Sequence, residues 1–301
     1  MDATMQLADR FAEHRSRLRA VAYRMLGSLT EADDAVQETW LRLGKSDADE
    51  IENLGGWLTT VVSRVCLNML RSRGVRREVS FGVHVPDPIV TPAGLLQPDE
   101  AASLADSVGL ALLIVLDTLS PAERLAFVLH DMFDFPFDEI AALVDRSPAA
   151  ARQLASRARR RVEKANVGVP DPDRGRQHRV VDAFFQATRD GDFQALIACL
   201  DPGVVLRIDA GVRLPADSML VRGAASVAGQ TLKGLSSVLA RPAVELHRVL
   251  VNDGAGIVVT MGGRPVTVMG FTVSGDRITA IDSIADPARV PGIVAVPFSN
   301  S

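Results

Sequence analysis

The sequence predicts a multidomain protein in which two all-helical domains, the second carrying a helix-turn-helix, precede an α+β domain. Three observations support this fold class. Residues 5–78 and 99–164 place apolar side chains at helical spacing almost throughout. Segments 79–98 and 165–176 are rich in proline or glycine and predict linkers. Residues 177–296 combine helical patterns with several β-rich runs, which predicts the α+β domain.

Composition limits what the chain can do. Its 301 residues are 47% hydrophobic with a formal net charge of -4, so contacts with nucleic acid must come from local basic patches. Cys66 and Cys199 lie far apart in apolar runs, which predicts reduced, buried thiols in a cytoplasmic protein. The scattered histidines predict no metal site, and we expect no cofactor. A charged beginning and the absence of a long apolar segment predict neither a signal peptide nor a membrane span.

The first helical block contains a helix with an acidic face, EADDAVQETWLRL (31–43). Its small and apolar residues recur on one side and predict burial there. The opposite side carries Asp33, Asp34, Gln37, Glu38 and Leu41. Because complementary charge favours association, this face suits a protein partner that carries basic residues.

A second helix of the same block begins near Trp57 and has a basic edge. Its polar and basic residues are Arg64, Asn68, Arg71, Arg73, Arg76 and Arg77. Five arginines within fourteen residues suggest contacts with phosphate. A solvated helix end explains them equally well, because cations near a helix C-terminus interact favourably with its dipole.

The second helical block ends in FDEIAALVDRSPAAARQLASRARRRVEK (137–164), which predicts a helix-turn-helix. Asp145 and Arg146 form the turn, Ser147 caps the next helix, and Pro148 suits its first position. The outward residues are Arg152, Gln153, Ser156, Arg157, Arg159 and Arg160. Such a helix fits the DNA major groove. The alternative is an ordinary amphipathic surface helix, since helical hairpins are common.

The last block predicts a curved sheet folded over helices. Two helices span about 177–200, another spans 223–239, and the predicted strands lie near 203–209, 243–251, 255–261, 264–273 and 276–284. Asp209, His247 and Asp282 are candidate polar residues, but strand ends and surfaces usually explain such positions. The chain's single tyrosine, Tyr23, lies in the first block, so a tyrosine oxyanion donor is lacking here. We therefore assign no catalytic residue and expect a regulatory domain, with a small-molecule ligand left open.

Three strings together resemble the bacterial extracytoplasmic-function RNA polymerase sigma factors over about half the chain. They are AYRMLGSLTEADDAVQETWLRL (22–43), GGWLTTVVSRVCLNMLRSRGVRRE (55–78) and SPAERLAFVLHDMFDFPFDEIAALVDRSPAAARQLASRARRRV (120–162). The resemblance implies a sigma region 2 domain over 5–78 and a sigma region 4 domain over 99–164.

The resemblance also implies roles for individual residues. The helix that binds the clamp of core RNA polymerase would present Asp33, Asp34, Gln37, Glu38, Trp40 and Leu41. The melted minus-10 promoter element would meet Arg64, Asn68, Arg71, Arg73, Arg76 and Arg77. The minus-35 element would meet Arg152, Gln153, Ser156, Arg157 and Arg160.

Beyond residue 165 the chain resembles a SnoaL-like, ketosteroid-isomerase-type cone over 177–296, carried by strings at 180–209 and 251–290. A subgroup of these sigma factors has such a domain and three regulatory motifs, a Trp-Leu-Pro-Glu-Pro-like string, Asp-Gly-Gly-Gly-Lys and Asn-Pro-Asp-Lys-Leu. Segments 85–88, 209–213 and 286–290 stand in their places. The implied regulatory residues are Pro86, Asp87, Pro88, Asp209, Gly211, Arg213, Asp286, Pro287 and Arg289.

These observations predict a cytoplasmic sigma factor that binds core RNA polymerase and promoter DNA. Its C-terminal domain would regulate it in cis, without catalysis and without a membrane partner. Two alternatives stand beside this prediction. The chain could be a helix-turn-helix regulator that binds DNA without polymerase, which the acidic helix argues against. It could also be an enzyme built on the cone fold, with the helical blocks as a tether.

Overall fold

The computed structural model describes residues 3–47, 51–77, 83–92, 109–165, 172–211 and 214–294. The chain divides into two compact units. The first comprises Met1–Val79 and Leu112–Asn166, and the second comprises Ser80–Ala111 and Val167–Ser301. The first unit therefore contains the first helical block and residues 112–164 of the second, whereas residues 80–98 of the predicted linker and 99–111 of the second block belong to the second unit.

The first unit begins with three helices, α1 (Ala3–Leu26), α2 (Leu29–Leu43) and α3 (Leu54–Arg77). Helix α1 packs against both α2 and α3 because each contributes an apolar stripe. The side of α2 that the sequence predicts to be buried is confirmed, since Ala32, Ala35, Val36 and Thr39 are buried. The core of this half includes Leu18, Tyr23, Leu43, Leu58 and Leu67.

The second half of this unit carries the predicted helix-turn-helix. Its elements are α4 (Leu110–Asp117), α5 (Pro121–Phe127), a π-helical turn (Val128–Met132), α6 (Phe137–Val144) and α7 (Pro148–Lys164). Asp145 ends α6 in a left-handed conformation with φ +54°. Ser147 caps α7 by accepting a hydrogen bond from the backbone N of Ala150, and Pro148 opens the helix. The turn, the cap and the helix start all confirm the sequence prediction.

The second unit contains a seven-stranded mixed sheet and several helices. The strands are β1 (Val90–Pro92), β2 (Leu200–Asp209), β3 (Met219–Arg222), β4 (Val244–Val251), β5 (Gly254–Met261), β6 (Arg264–Ser274) and β7 (Arg277–Ile284). The helices are α8 (Arg174–Asp190), α9 (Phe193–Cys199), α10 (Ala224–Leu239) and α11 (Val290–Ile293). Strand order is β1-β4-β5-β6-β7-β2-β3, and β2 and β7 are the parallel pair.

The core of this unit lies between the sheet and helices α8, α9 and α10. Phe184 and Phe185 of α8 meet Phe271 of β6 edge to face, with both ring-centroid distances to Phe271 at 5.9 Å. Ile257 and Leu196 are buried in the same cluster. The α+β cone-shaped architecture is therefore confirmed. The sequence did not predict β3 or β1, and β1 falls inside the segment predicted to be a linker.

Candidate protein and nucleic-acid interfaces

The acidic face of α2 is only partly free for a partner. Asp34 and Gln37 are exposed, and Leu41 is a large apolar side chain with 51% of its surface in solvent. Asp33 instead accepts two hydrogen bonds from Arg19 of α1, at 2.7 and 3.0 Å. Glu38 pairs with Arg42 one turn further along α2 at 2.9 Å. The face therefore combines free polar groups with acids already held by internal arginines.

A cleft of about 380 Å³ runs between α1 and α2 beside this face. Its wall contains Trp40, whose ring centroid lies 5.1 Å from that of Phe11. Val36 supplies further apolar surface, and Asp33 and Gln37 line the polar side. An apolar floor with polar residues at its margin is the usual composition of a protein-binding surface.

The basic edge of α3 is divided by its internal contacts. Arg64, Asn68 and Arg71 are exposed. Arg73 is instead half-buried, donates from Nε to Glu31 of α2 at 3.1 Å, and donates from Nη1 to the carbonyl oxygen of Leu26 at 2.9 Å. Arg76 and Arg77 lie in the last turn of α3, and their side chains are outside the described residues.

A second cleft, of about 310 Å³, joins two sets of predicted site residues. Glu38, predicted to face polymerase, lines it together with Asn68 and Arg73, predicted to face melted DNA. The cleft also contains Met69 and Ser72. The predicted polymerase and minus-10 surfaces are therefore contiguous in the structure.

Four of the six residues predicted to face outward on α7 are exposed, whereas Arg159 is half-buried. Arg152, Gln153, Arg157 and Arg160 are exposed, and Ser156 is half-buried. The opposite face buries Ala151, Leu154, Ala155 and Ala158. Small residues on the packed face let α7 lie close to its neighbours while its long polar side chains reach outward.

Several of the α7 arginines are held by neighbouring helices. The Arg152 guanidinium lies over the ring of Phe137 of α6, 5.5 Å from its centroid. Arg159 pairs with Asp131, and this carboxylate raises the pKa of Arg159 despite the opposing effect of burial. Arg157 and Arg161 share Glu123 of α5. Contacts within the protein thus orient Arg152, Arg157 and Arg159 on this face.

In the second unit, Arg289 joins all three segments that the sequence marks as regulatory. Its guanidinium donates to Asp87 at 2.6 and 2.9 Å, and to Asp209 at 2.6 Å. It also donates to the carbonyl oxygen of Val85 at 2.5 Å. We name this cluster of Val85, Asp87, Asp209 and Arg289 the linker lock. Because it connects positions more than 200 residues apart, it fixes the 83–92 segment to the C-terminal domain.

Asp209 is the acidic centre of the linker lock. Burial alone would raise the pKa of its carboxyl, but hydrogen bonds from His84 and the backbone N of Val85, together with Arg289, hold that pKa well below its usual range. The Asp209 side chain also accepts a hydrogen bond from the backbone N of Gly211 at 3.0 Å. Asp209 is therefore ionised at neutral pH.

Gly211 and Asp286 meet at the edge of the same cluster. Gly211 has φ +82°, and a Cβ at this position would lie 2.1 Å from the nearer carboxylate oxygen of Asp286. Asp286 in turn accepts a hydrogen bond from the backbone N of Ala288, which organises the turn before Arg289. Pro86 and Pro88 are buried, Pro287 lies within this turn, and Arg213 is outside the described residues.

Strand β1 fixes the segment that follows the linker lock. Val90, Thr91 and Pro92 pair antiparallel with the end of β4. Asn252 reinforces this pairing, because its side-chain oxygen accepts from the backbone N of Ile89 at 2.9 Å and its own N donates to the Ile89 carbonyl oxygen. The sequence predicts an extended linker here, and the structure adds that the extended chain is a sheet strand.

The other candidate polar residues of the C-terminal domain have separate structural partners. His247 hydrogen-bonds Thr260 on the neighbouring strand at 2.9 Å. Asp282 is buried beside Arg207 at 2.9 Å, and burial raises the pKa of Asp282. Asp209 belongs to the linker lock. The structure does not bring these three residues into one constellation.

Both cysteines are free thiols. Cys66 is buried, and burial raises the pKa of its thiol to about 12, so it is a poor nucleophile. Cys199 is only half-buried, because α9 ends there near the surface, and this differs from the predicted full burial.

Sequence reasoning missed Glu123, Arg161, Val85 and Asn252. The spacing of Ser120 and Glu123 carries a capping-box signal that could have located the first of these. The other three have no local signal, because their roles depend on partners distant in sequence.

Within the described residues, His, Cys, Asp and Glu side chains form no group of three or more placed to hold a metal ion. The helices in the same part of the chain are either too short or too polar to cross a membrane.

Comparison with known proteins gives two family matches. Residues 10–76 match Sigma-70 region 2, and residues 110–162 match Sigma-70, region 4. The ECF RNA polymerase sigma factor SigJ of Mycobacterium tuberculosis is 35% identical over 293 residues, covering 94% of this chain and 92% of SigJ. A probable ECF RNA polymerase sigma factor, SigI of the same species, is 34% identical and covers 92% of each chain.

The fold is also similar to a solved structure along most of its length. The crystal structure of the Mycobacterium tuberculosis extracytoplasmic function sigma factor SigJ superposes with a TM-score of 0.71 at 32% identity. The match covers 95% of this chain and 98% of the crystallised chain, so the likeness includes the C-terminal domain as well as both helical blocks.

Proposed function

Because this chain belongs to the extracytoplasmic-function RNA polymerase sigma factors, we propose that its C-terminal domain regulates promoter-specific transcription initiation in cis. The chain is a sigma factor, and its partners are core RNA polymerase and promoter DNA. We place this activity in the cytoplasm, where polymerase and promoters meet. The division into a region 2 domain (5–78), a region 4 domain (99–164) and a SnoaL-like domain (177–296) is part of this proposal.

Core polymerase would bind the α2 face. Exposed Asp34 and Gln37 offer acceptors to basic partner residues, and Leu41 offers an apolar contact beside them. Arg19 holds Asp33, so Asp33 would shape the surface rather than provide a free charge. The cleft containing Trp40 would accept an apolar side chain of the partner.

Promoter DNA would meet two faces. The exposed Arg64, Asn68 and Arg71 of α3 suit melted DNA, which needs basic groups along its backbone and polar groups near its bases. Arg73 would support this surface from within, through its bond to Glu31. Helix α7 suits duplex DNA, because its exposed Arg152 and Gln153 lie in the first half of a helix that follows a helix-turn-helix turn.

The linker lock is the single observation that carries the cis-regulatory proposal. A proline-rich linker that is free lets two DNA-binding domains vary their separation. A linker held by Arg289 and β1 loses that freedom, because residues 83–92 become part of the C-terminal domain. The C-terminal domain would thereby change the population of conformations able to bind polymerase and promoter together.

We propose no catalysis for this domain. Its polar candidates, Asp209, His247 and Asp282, are engaged in separate structural interactions, which supports a binding or regulatory role. A small-molecule ligand that alters the linker lock remains compatible with this role.

The test is in vitro transcription with core polymerase and the DNA upstream of this chain's own gene. The full chain should start transcription at one promoter, and the Arg152→Ala and Gln153→Ala variants should each lose roughly 1–3 kcal/mol of binding there. If these residues contact base edges, specificity should relax at one position. Equal losses on promoter and random DNA would contradict base recognition by α7, and absence of core-dependent initiation would contradict the function.

A further inference from the structure

The carboxylate of Glu123 is fixed at the start of α5. Its Oε2 accepts a hydrogen bond from the Ser120 hydroxyl at 2.7 Å and from the Ser120 backbone N at 3.2 Å. Ser120 Oγ in turn accepts from the backbone N of Glu123 at 3.4 Å. This reciprocal capping box holds a side chain that is only 7% exposed, so its position is set by the fold.

The same carboxylate binds two arginines of α7. Arg157 donates from Nε to Oε1 at 3.0 Å, and Arg161 donates from Nη1 to Oε2 at 3.1 Å. The two arginines are one helical turn apart and lie on the same flank of the helix. One rigid acid therefore sets the direction of two guanidinium groups.

Hydrogen bonds and nearby positive charge outweigh the effect of burial on Glu123. Burial would raise the pKa of the Glu123 carboxyl, but the Ser120 hydrogen bonds and the two arginines lower it below its usual range. Glu123 is therefore a carboxylate at neutral pH, and its bonds to arginine are charge-assisted.

The arginines keep most of their donors for another partner. A guanidinium has five N–H groups, and the bonds described for Arg157 and Arg161 each use one nitrogen toward Glu123. Their side chains remain 53% and 52% exposed. Planar, pre-oriented guanidinium groups match the geometry of phosphate oxygens.

We propose that Glu123 is a positioning residue for DNA binding, which orients Arg157 and Arg161 so that their outward N–H groups contact phosphates of the minus-35 duplex. The inference rests on the proposed function of α7 and adds a specific residue pair to it. Arg161 becomes a phosphate contact that the sequence did not indicate, and Glu123 acts through the arginines without touching DNA.

Removing the Glu123 charge separates positioning from simple electrostatics. A negative charge near DNA repels phosphate, so if repulsion were its main effect, Glu123→Gln would tighten DNA binding. If Glu123 positions the arginines, the same change should weaken binding, because two flexible side chains must then be ordered when DNA binds. The two hypotheses predict opposite signs.

The experiment measures the affinity of holoenzyme, assembled from the full chain and core polymerase, for the preferred promoter across a salt series. Glu123→Gln should weaken binding on the order of tenfold, and the slope against salt should fall by about one unit for each lost phosphate contact. The matched control is Glu139→Gln, which removes the same charge from an exposed position in the first turn of α6. The control should bind equally or more tightly, and unchanged or tighter binding by Glu123→Gln would overturn the proposal.

A mutant cycle checks that Glu123 acts through the arginines. In an Arg157→Ala, Arg161→Ala background, Glu123→Gln should change affinity less than about twofold. A full tenfold loss in that background would assign the effect to the fold of α5, and so would overturn the proposal.

A second variant avoids any disturbance of the cap. Arg157→Lys with Arg161→Lys keeps both charges and leaves Ser120 and Glu123 intact, but removes the planar donor arrangement. It should weaken promoter binding several-fold, and an unchanged affinity would overturn the proposal even if Glu123→Gln fails to fold.

Failure of this proposal can be distinguished from failure of the proposed function. If a holoenzyme that lacks both Arg157 and Arg161 binds the promoter normally, the proposal is wrong but the sigma function is unaffected. A chain that forms no promoter-specific holoenzyme would instead refute the assignment of α7 on which the inference rests.

Discussion

Single residues of the linker lock carry more than one structural task. Arg289 binds the Asp87 and Asp209 side chains and the carbonyl oxygen of Val85. Asp209 binds Arg289, the backbone N of Val85 and the backbone N of Gly211. Because each member has several partners, loss of one leaves buried polar groups unsatisfied, which is costlier than loss of a surface ion pair.

Asp209→Asn should destabilise the linker lock by about 3 kcal/mol at pH 7, as expected for removing one partner of a buried ion pair. The folded-state pKa of Asp209 is lowered, so its contribution is present above the unfolded carboxyl pKa of about 4 and is lost as pH falls through the folded pKa. The stability difference between the wild-type and variant chains should therefore shrink below about pH 4. Amide exchange in β1 and β2 measures this stability difference. If the difference between the wild-type and variant chains does not change with pH, Asp209 is not ionised in the folded state.

Gly211→Ala should destabilise the C-terminal domain by about 3 kcal/mol. The new Cβ would combine a positive φ with a 2.1 Å approach to the Asp286 carboxylate, so the buried Asp286 side chain or the backbone turn that presents Asp209 must shift. Gly262→Ala is the matched control, because Gly262 has φ +58° with no atom within 4 Å of the added Cβ. The control should lose only about 1 kcal/mol. Amide exchange of the sheet measures the loss of stability in both variants. Equal losses in Gly211→Ala and Gly262→Ala would show that the close approach to Asp286 is unimportant.

At the scale of secondary-structure elements, helices and long strands follow from the sequence. The period of buried residues in α2 and α7, the cap at Ser147 and the strands from β4 to β7 all match local patterns. Residues 90–92 do not, because their strand conformation depends on pairing with residues 249–251, about 160 positions away. Composition predicts that this segment is extended but not what it pairs with.

The candidate site shows the same division. Exposure along α7 was predictable from helical periodicity, and the acidic face of α2 from charge pattern. The pairing of Arg73 with Glu31, and of Arg19 with Asp33, was not, because each ion pair joins two helices whose packing the sequence does not specify. Tertiary contacts determine which side chains pair. A residue predicted to bind a partner can therefore instead form an internal ion pair that stabilises the binding surface.

Reversing the charge of the α2 face should weaken association with core polymerase. Asp34→Lys with Glu38→Lys replaces two acids by bases, and like charges across an interface should slow association and reverse its salt dependence. We expect at least a tenfold loss at low ionic strength. Asp276→Lys, at an exposed acid in the turn between β6 and β7, is the control and should have no effect. Normal core binding by the folded double variant would remove α2 from the polymerase interface.

At the scale of the whole molecule, the segment between the two helical blocks is the point at which the C-terminal domain can act on transcription. Residues 80–111 belong to the same compact unit as residues 167–301, although the sequence places them between the two sigma regions. The C-terminal domain follows region 4 in the sequence, yet it binds the linker that precedes region 4. Under the proposed regulation in cis, release or retention of the linker would alter one restraint on the two sigma regions, which also contact each other directly where Arg124 donates to the carbonyl oxygen of Arg24.

Truncation of the chain tests this mechanism at the same scale. A chain ending near residue 284 loses Asp286 and Arg289, and a chain ending near residue 170 loses the whole domain. Both should change promoter-dependent transcription relative to the full chain, by roughly tenfold if the lock shifts the competent population by about 1.4 kcal/mol. Arg289→Ala should act in the same direction as the 284 truncation, whereas Arg264→Ala, at an exposed position on β6, should not.

The direction expected for the lock variants is increased or deregulated initiation, because an unheld linker removes one restraint on the separation of regions 2 and 4. Removal of the whole domain adds a second effect, since it also exposes the linker surface that β4 and Asp209 cover. Amide exchange of α2 and α7 checks that both sigma regions stay folded in every variant. If the full chain, both truncations and Arg289→Ala transcribe identically, the domain does not regulate initiation and an enzymatic role on the cone fold becomes the better hypothesis.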